Sequence, residues 1–324
     1  MERREDEGDA GRYATGYHAP VLWHTVVRDL ITNRSGVYVD GTLGGGGHTA
    51  ALLDALADDA LVIGIDRDRE AHEVVRSRLS AELKKGRLRL AVATFDDWPD
   101  VLDDLGIEKA DGLLLDIGVS SHQLDEATRG FSYAAAGPLD MRMNPEAPVS
   151  AAEVVNEWAE ADLRQVLYDY GEESRGRAIA AAIVRSRPIE DTAQLANVVR
   201  SAVPTRDEVK SLSRVFQALR IVVNDELGQL ERALKAATDR IAIGGRVAVI
   251  SYHSLEDRRA KRFFRSGNFE GEVERDLYGN RLVGWRELYR KPVVADPAEV
   301  EQNPRARSAR LRIGERVKEV SATQ

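Results

Sequence analysis

Short apolar runs and amphipathic stretches alternate along this chain from residue 37 onward. Residues 37–43 form a short apolar strand that runs into a cluster of glycines. Residues 48–57 read as a short helix, 61–66 as a second strand, 70–83 as a helix, 88–93 as a third strand, 101–105 as a weak helix and 111–117 as a fourth strand. Near-continuous apolar strands separated by helical stretches predict an α/β fold whose parallel sheet is covered on both faces.

The rhythm then changes. Residues 118–148 carry loop residues with Pro138, Pro145 and Pro148, and from Ser150 to Val203 the pattern is helical only. Ser150-Ala-Ala-Glu153 is a capping-box signature, and Pro188 and Pro204 stop the helices before them. Residues 214–243 predict one or two long helices closed by Gly244-Gly245 as a C-cap. Residues 246–251 return to strand, 255–264 to helix, and late strands fall near 282–283 and 311–313. The expected organisation is a disordered leader over 1–16, an α/β domain over 17–124 and 213–324, and a helical insertion for substrate recognition over 125–212.

A length of 324 residues suits one large domain or two modest ones, and 43% hydrophobic with 31% charged residues is ordinary for a globular chain. The longest apolar runs, such as Val247–Ile250, are a few residues, against the roughly 20 of a bilayer span. The first residues lack the apolar core of a secretion signal, so the cytoplasm is the expected location. The absence of cysteine excludes disulfides, Cys-ligated metal and any cysteine nucleophile. The net charge of −8 is unevenly spread: residues 241–324 hold 17 Lys and Arg against 12 Asp and Glu. Arg258, Arg259, Lys261, Arg262 and Arg265, with Arg305, Arg307, Arg310, Arg312 and Arg316, form the expected phosphate-binding surface. The insertion adds Arg175, Arg177, Arg185 and Arg187.

The glycine cluster carries the first chemical signal. Asp40-Gly41-Thr-Leu-Gly44-Gly45-Gly46-Gly47-His48 joins the first strand to the first helix, so backbone can approach a ligand at a helix N-terminus. Asp66 ends the second strand, where a doubly wound fold places a carboxylate beside a nucleoside ribose. A dinucleotide and S-adenosylmethionine both suit this order. Asp40, directly before the glycines, favours S-adenosylmethionine, because an acid there meets the methionine ammonium. On sequence alone His48 reads as a surface residue in the first helical turn.

Several further segments fit one family together. They are His18-Ala-Pro-Val-Leu22, the loop just quoted, Gly64-Ile-Asp66-Arg-Asp68, Leu115-Asp-Ile-Gly-Val-Ser-Ser-His-Gln-Leu-Asp125 and Arg129-Gly-Phe-Ser-Tyr133. Gly137-Pro-Leu-Asp-Met-Arg-Met143, Arg214-Val-Phe-Gln-Ala-Leu-Arg-Ile-Val-Val-Asn224, Ser251-Tyr-His-Ser-Leu-Glu-Asp257 and Asn303-Pro-Arg-Ala-Arg-Ser308 complete the set. In these the chain resembles the bacterial ribosomal RNA small subunit methyltransferase H family, also called MraW. His122 stands where related sequences often have proline. The resemblance runs from about residue 17 to 316. It implies a Rossmann-like class I S-adenosylmethionine-dependent methyltransferase fold and methylation of the exocyclic N4 of a decoding-region cytidine in 16S rRNA. It also implies the small ribosomal subunit as the setting and is compatible with a homodimer.

The same resemblance puts the methionine end of the cofactor at Gly46, Gly47 and His48, the ribose at Asp66 and the adenine region at Phe95, with Asp116 and Gln123 completing the pocket. No residue is assigned to a metal. Asp116, at the end of the fourth strand, is the candidate acceptor of N4–H hydrogen bonds, although the usual Asp/Asn-Pro-Pro-Tyr/Phe motif of amino methyltransferases is replaced by Asp116-Ile-Gly-Val119. Tyr252, with His253 beside it, is the candidate ring for a base swung out of folded RNA. Cytosine C5 methylation normally needs a cysteine, so its absence agrees with exocyclic chemistry. Methylation of another amine (adenine N6 or a protein), a dinucleotide-dependent oxidoreductase and a non-catalytic ribosome-assembly factor are the competing readings.

Overall fold

The computed structural model describes Tyr13 and residues 20–118, 129–279 and 281–318. In chain order these contain α1 (Trp23–Leu30), β1 (Val37–Asp40), α2 (Gly47–Ala55), β2 (Leu61–Asp66), α3 (Arg69–Arg78), α4 (Ser80–Lys85), β3 (Leu88–Val92), α5 (Trp98–Asp104) and β4 (Ala110–Asp116). A helical run follows: α6 (Ala151–Glu157), α7 (Glu160–Asp169), α8 (Gly176–Arg185), α9 (Thr192–Ser201), α10 (Glu208–Asn224) and α11 (Glu226–Arg240). The last part holds β5 (Ile241–Ser251), α12 (Ser254–Ser266), β6 (Trp285–Glu287), α13 (Pro297–Gln302) and β7 (Arg310–Arg316). The chain divides into two compact units, one of residues up to Gly118 together with Gly228 onward, the other Val119–Leu227.

The first unit is a seven-stranded sheet in the order β3-β2-β1-β4-β5-β7-β6. The pairings from β3 through to β5 are parallel, and β7 is antiparallel to both of its neighbours. Side chains of a strand alternate between faces, so consecutive apolar residues fill two separate cores. Val39, Ile63, Leu113, Leu115, Val247 and Val249 pack with Trp98, Leu234 and Phe263 on one face. Tyr38, Val62, Leu114, Ala248 and Ile250 pack with Val26, Leu52 and Val75 on the other. Strand order reverses between β1 and β4, and the crevice at the carboxyl ends of such a pair is where open α/β sheets hold ligands.

The second unit has its own core, including Phe131, Met141, Val154, Leu163, Ile183, Leu195, Val215 and Leu219. Ser150 and Glu153 form the capping box expected of α6. Asn224 joins two of the sequence motifs. Its Oδ1 accepts the Met143 N–H at 2.7 Å, and its Nδ2 donates to the Met141 carbonyl at 2.8 Å. The expected insertion limits of 125 and 212 fall inside this unit.

Three local expectations differ from what is observed. The helix expected over 70–83 is two, broken at Leu79 (φ −108°, ψ 29°). Gly244-Gly245 does not cap a helix. β5 begins at Ile241 directly after α11, and the two glycines lie within it, where its register with β4 shifts. A Cβ on Gly245 would stand 2.7 Å from the Asp111 carbonyl, so the strand pair needs glycine there. The late strand expected at 282–283 is instead β6 at Trp285–Glu287.

Candidate active site

The loop after β1 is stitched to both neighbouring strands. The Gly41 N–H donates to the Leu114 carbonyl of β4 at 2.9 Å, and the Leu43 N–H to the Ile65 carbonyl of β2 at 3.0 Å. Gly46 is left-handed (φ 73°) and forms the N-cap of α2. A Cβ on Gly46 would meet Val75 Cγ2 at 2.8 Å, and one on Gly47 would meet Pro20 at 3.1 Å. The glycine requirement is therefore conformational and steric together. Val21 and Leu22, from the first motif, are held beside the loop. The Val21 carbonyl lies 2.9 Å from His48 Nε2, and the Leu22 N–H donates to Glu299 at 2.6 Å.

Asp66 lies at the carboxyl end of β2. Its Oδ2 accepts the Gly44 N–H at 2.8 Å and its Oδ1 the Asp68 N–H at 2.9 Å. Its carboxylate thus sets the loop, and each oxygen retains a lone pair for a ligand hydroxyl. Burial pushes its pKa above the ordinary aspartate value, against those two N–H groups. His72 on α3 completes the arrangement, its Nε2 2.9 Å from the Asp66 carbonyl.

Asp40 is buried at the end of β1. Thr49 Oγ1 donates to its Oδ2 at 2.7 Å and the Thr42 N–H to its Oδ1 at 3.3 Å. Its charge acts from beneath the loop, and burial raises its pKa. His48 is not the surface residue that its place in the first helical turn suggested. It is 6% exposed, with Nδ1 3.8 Å from Asp116 Oδ2. Packing by the Pro20–Leu22 segment, remote in sequence, covers it.

Asp116 ends β4 across the crevice. Its backbone N–H donates to Thr42 Oγ1 at 2.7 Å, and its Oδ1 accepts the Tyr252 hydroxyl at 2.8 Å. Its side chain keeps 22% exposure, so it is embedded yet reachable. Burial raises its pKa, His48 and the Tyr252 hydroxyl oppose that rise, and the Asp40 and Glu256 charges add to it. Tyr252 follows β5, and its ring lies 3.0 Å from the position of a Cβ on Gly118. Burial and the Asp116 charge hold its phenol protonated to well above the usual tyrosine range.

Asp40, His48, Asp116 and Tyr252 therefore converge at the switch point, with Asp66 beside them on β2. Phe95 begins the turn after β3 and belongs to the core under the loop, near Gly41. His253 turns the other way, its Nε2 3.0 Å from Glu256 Oε1. Gln123 and His122 lie outside the described residues. Thr42, Thr49, His72 and Glu256 escaped the sequence reading. Only Thr42, between glycines of the loop, carried a positional signal.

The expected basic surface is reduced. Arg312 and Arg316 are buried, because β7 is an interior strand whose two faces are both covered. Arg312 makes a bidentate pair with Asp257 at 2.6 and 3.2 Å, and the Arg316 guanidinium lies 5.8 Å from the Trp285 ring centre. Arg259 bonds Glu231 at 2.7 Å. Arg187 caps α6 by donating to the Val155 and Trp158 carbonyls. Arg258, Lys261, Arg262, Arg265, Arg307 and Arg310 remain exposed.

A family model described as the MraW methylase family matches residues 15–317. The chain is 47% identical over 311 residues to the ribosomal RNA small subunit methyltransferase H of Geotalea uraniireducens, covering 93% of this chain and 99% of that one. It is 47% identical over 326 residues to the protein of the same name from Methylorubrum populi, covering 97% and 91%. With that from Geobacter sulfurreducens it shares 46% over 310 residues, covering 93% and 99%.

Proposed function

This chain belongs to the MraW methylase family, and from that premise we propose that it transfers the methyl group of S-adenosylmethionine to the exocyclic N4 of a cytidine in the decoding region of 16S rRNA. The observation that carries the reading is the convergence of Asp116, held by Tyr252, with the glycine loop and Asp66 at the switch point of the sheet.

The residues present suit the cofactor. A Cβ would clash with Val75 at Gly46 and press on Pro20 at Gly47, and Asp66 keeps acceptor capacity for a ribose diol. In this reading Gly46, Gly47 and His48 hold the methionine end with Asp40 behind them, Asp66 the ribose and Phe95 the adenine side. When bound, S-adenosylmethionine supplies a sulfonium methyl that an amine lone pair can attack, with the neutral thioether as leaving group.

N4 of cytosine is a weak nucleophile because its lone pair is delocalised into the ring. Alignment is therefore the main contribution of the protein, and positioning of this kind lowers barriers by about 7–11 kcal/mol. Asp116 accepts an N4–H bond, orients the lone pair, and takes the proton that leaves once nitrogen carries the new methyl. The Tyr252 hydroxyl fixes the carboxylate for that task. His253 acts behind Tyr252 rather than on the base.

The helical unit and the exposed cations of α12 and the segment before β7 hold the RNA in this reading. The substrate is 16S rRNA within the small subunit, in the cytoplasm. Among the described residues no helix is long and apolar enough to cross a membrane. Incubation with labelled cofactor and separated rRNA, DNA and protein tests the proposal. Label in 16S rRNA, released as N4-methylcytidine, supports it, and label confined to DNA, protein or adenine overturns it. Sedimentation at assay concentration decides whether a homodimer is the working form.

A further inference from the structure

Glu256 is as enclosed as Asp40, 1% exposed, in the first turn of α12. It bonds back into the segment that joins β5 to this helix. Its Oε2 accepts the backbone N–H of Tyr252 at 2.9 Å and that of His253 at 3.2 Å, and its Oε1 lies 3.0 Å from His253 Nε2. One carboxylate thus gathers the two backbone N–H donors that follow β5 and lies against the His253 ring. The Tyr252 hydroxyl then reaches Asp116 at 2.8 Å.

We propose that Glu256 is a positioning residue for methyl transfer: it fixes the β5–α12 turn that aims Tyr252 at Asp116. This rests on the reading of Asp116 as the acceptor. As the third helical residue Glu256 completes a capping box with His253, the ordinary way to satisfy the N–H of a cap residue. Glu256 does something more, because the N–H groups it holds belong to the backbone that carries Tyr252, and its charge also opposes ionisation of Asp116. The groups that face Asp116 are Asp40 and Thr42 from β1 and its loop, His48 from α2, Tyr252 from the end of β5 and Glu256 from α12. The charge of Arg305, before β7, acts on Tyr252 as well. The influence of the Glu256 charge on both Asp116 and Tyr252 agrees with this geometry.

The test compares Glu256→Gln, Glu256→Asp and Asp116→Asn in the full chain. The readouts are the pH profile of kcat on rRNA, thermal melting, and cofactor affinity by calorimetry. Gln keeps the acceptor for the two N–H groups and loses the charge. Its acid limb should move to lower pH by roughly half a unit or more, with cofactor affinity unchanged and kcat several-fold lower. Asp keeps the charge with a shorter reach, so kcat should fall while the limb stays in place. A limb that does not move in Gln, or that moves equally in both variants, overturns the proposal. Should Gln fail to fold, a displaced limb in Asp overturns it, and an unmoved limb with lowered kcat supports it. Asp116→Asn separates the two levels: full activity there removes Asp116 as the acceptor, whatever Glu256 does.

Discussion

The Tyr252 hydroxyl donates to Asp116 Oδ1 at 2.8 Å, joining residues 136 positions apart at the carboxyl ends of β5 and β4. These two strands are parallel neighbours, with Asp116 in register with Ile250. The residue two places beyond Ile250 therefore overhangs the end of β4, and Gly118 leaves room for its ring. Tyr252→Phe removes the hydroxyl and little else. A hydrogen bond to a charged group contributes about 1.5–3 kcal/mol, so kcat should fall roughly ten- to a hundredfold with cofactor affinity retained. The donor stabilises the Asp116 carboxylate, so its loss raises that pKa and moves the acid limb to higher pH, opposite to Glu256→Gln. Steady-state kinetics from pH 5 to 9 check both the size and the direction.

Asp66→Ala should weaken S-adenosylmethionine binding by about 1.5–3 kcal/mol, the cost of losing a charged acceptor. It also frees the Gly44 and Asp68 N–H groups, so the loop should loosen. Calorimetry on a variant shown to be folded measures the loss. Unchanged affinity removes Asp66 from the site.

Gly46→Ala tests the loop itself. The added Cβ meets both a left-handed φ of 73° and Val75 at 2.8 Å. Strain of this kind costs about 1–3 kcal/mol, visible as a lower melting temperature, and cofactor affinity should fall with it.

Buried Asp40 makes stability depend on pH. Its folded pKa is raised above the ordinary 3.8 by burial, so the folded state holds its proton more tightly than the unfolded chain. Stability from this group is complete below 3.8 and is lost as pH rises through the folded pKa. Asp40→Asn does not ionise, so its stability relative to the parent should improve between pH 4 and 7. Melting curves across that range show the trend, and a difference that shrinks with pH contradicts it.

The arginines divide by strand and helix. Arg312→Ala breaks a buried ion pair with Asp257 and should cost about 3–5 kcal/mol of stability. Charge reversal of exposed Lys261 and Arg265 should instead spare folding and weaken rRNA binding at low salt. The salt slope should fall by about 0.7–0.9 for each phosphate that is no longer neutralised. Filter binding at several salt concentrations, with cofactor affinity as the control, separates the two classes.

Sequence was most informative where function constrains backbone. The order strand, glycines, helix, strand, Asp66 made the crevice legible, and the Ser150–Glu153 box marked its helix start. Tyr252 and Asp116 were legible singly, each at the end of an apolar strand, and only the pairing of β4 with β5 brings them together. Arg312 was misread because Arg310-Leu-Arg-Ile alternates as a half-exposed strand does, and only the packing of α12, with Asp257, over the second face of β7 buries it. His48 was misread because its cover comes from the Pro20–Leu22 segment, across the loop. Glu256 looked like one charge among many on a basic helix. Its hydrogen bonds to Tyr252 and His253 exist only once the turn has formed.

The central claim is N4 methylation of one 16S rRNA cytidine. Its most direct test is mass mapping of 16S rRNA from cells lacking this gene, before and after incubation of the small subunits with purified protein and S-adenosylmethionine. The account predicts that one decoding-region cytidine lacks a methyl group on N4 in the deletion strain. The purified protein should restore it, and the Asp116→Asn variant should not. An rRNA methylation map identical to that of the parent strain would contradict the account.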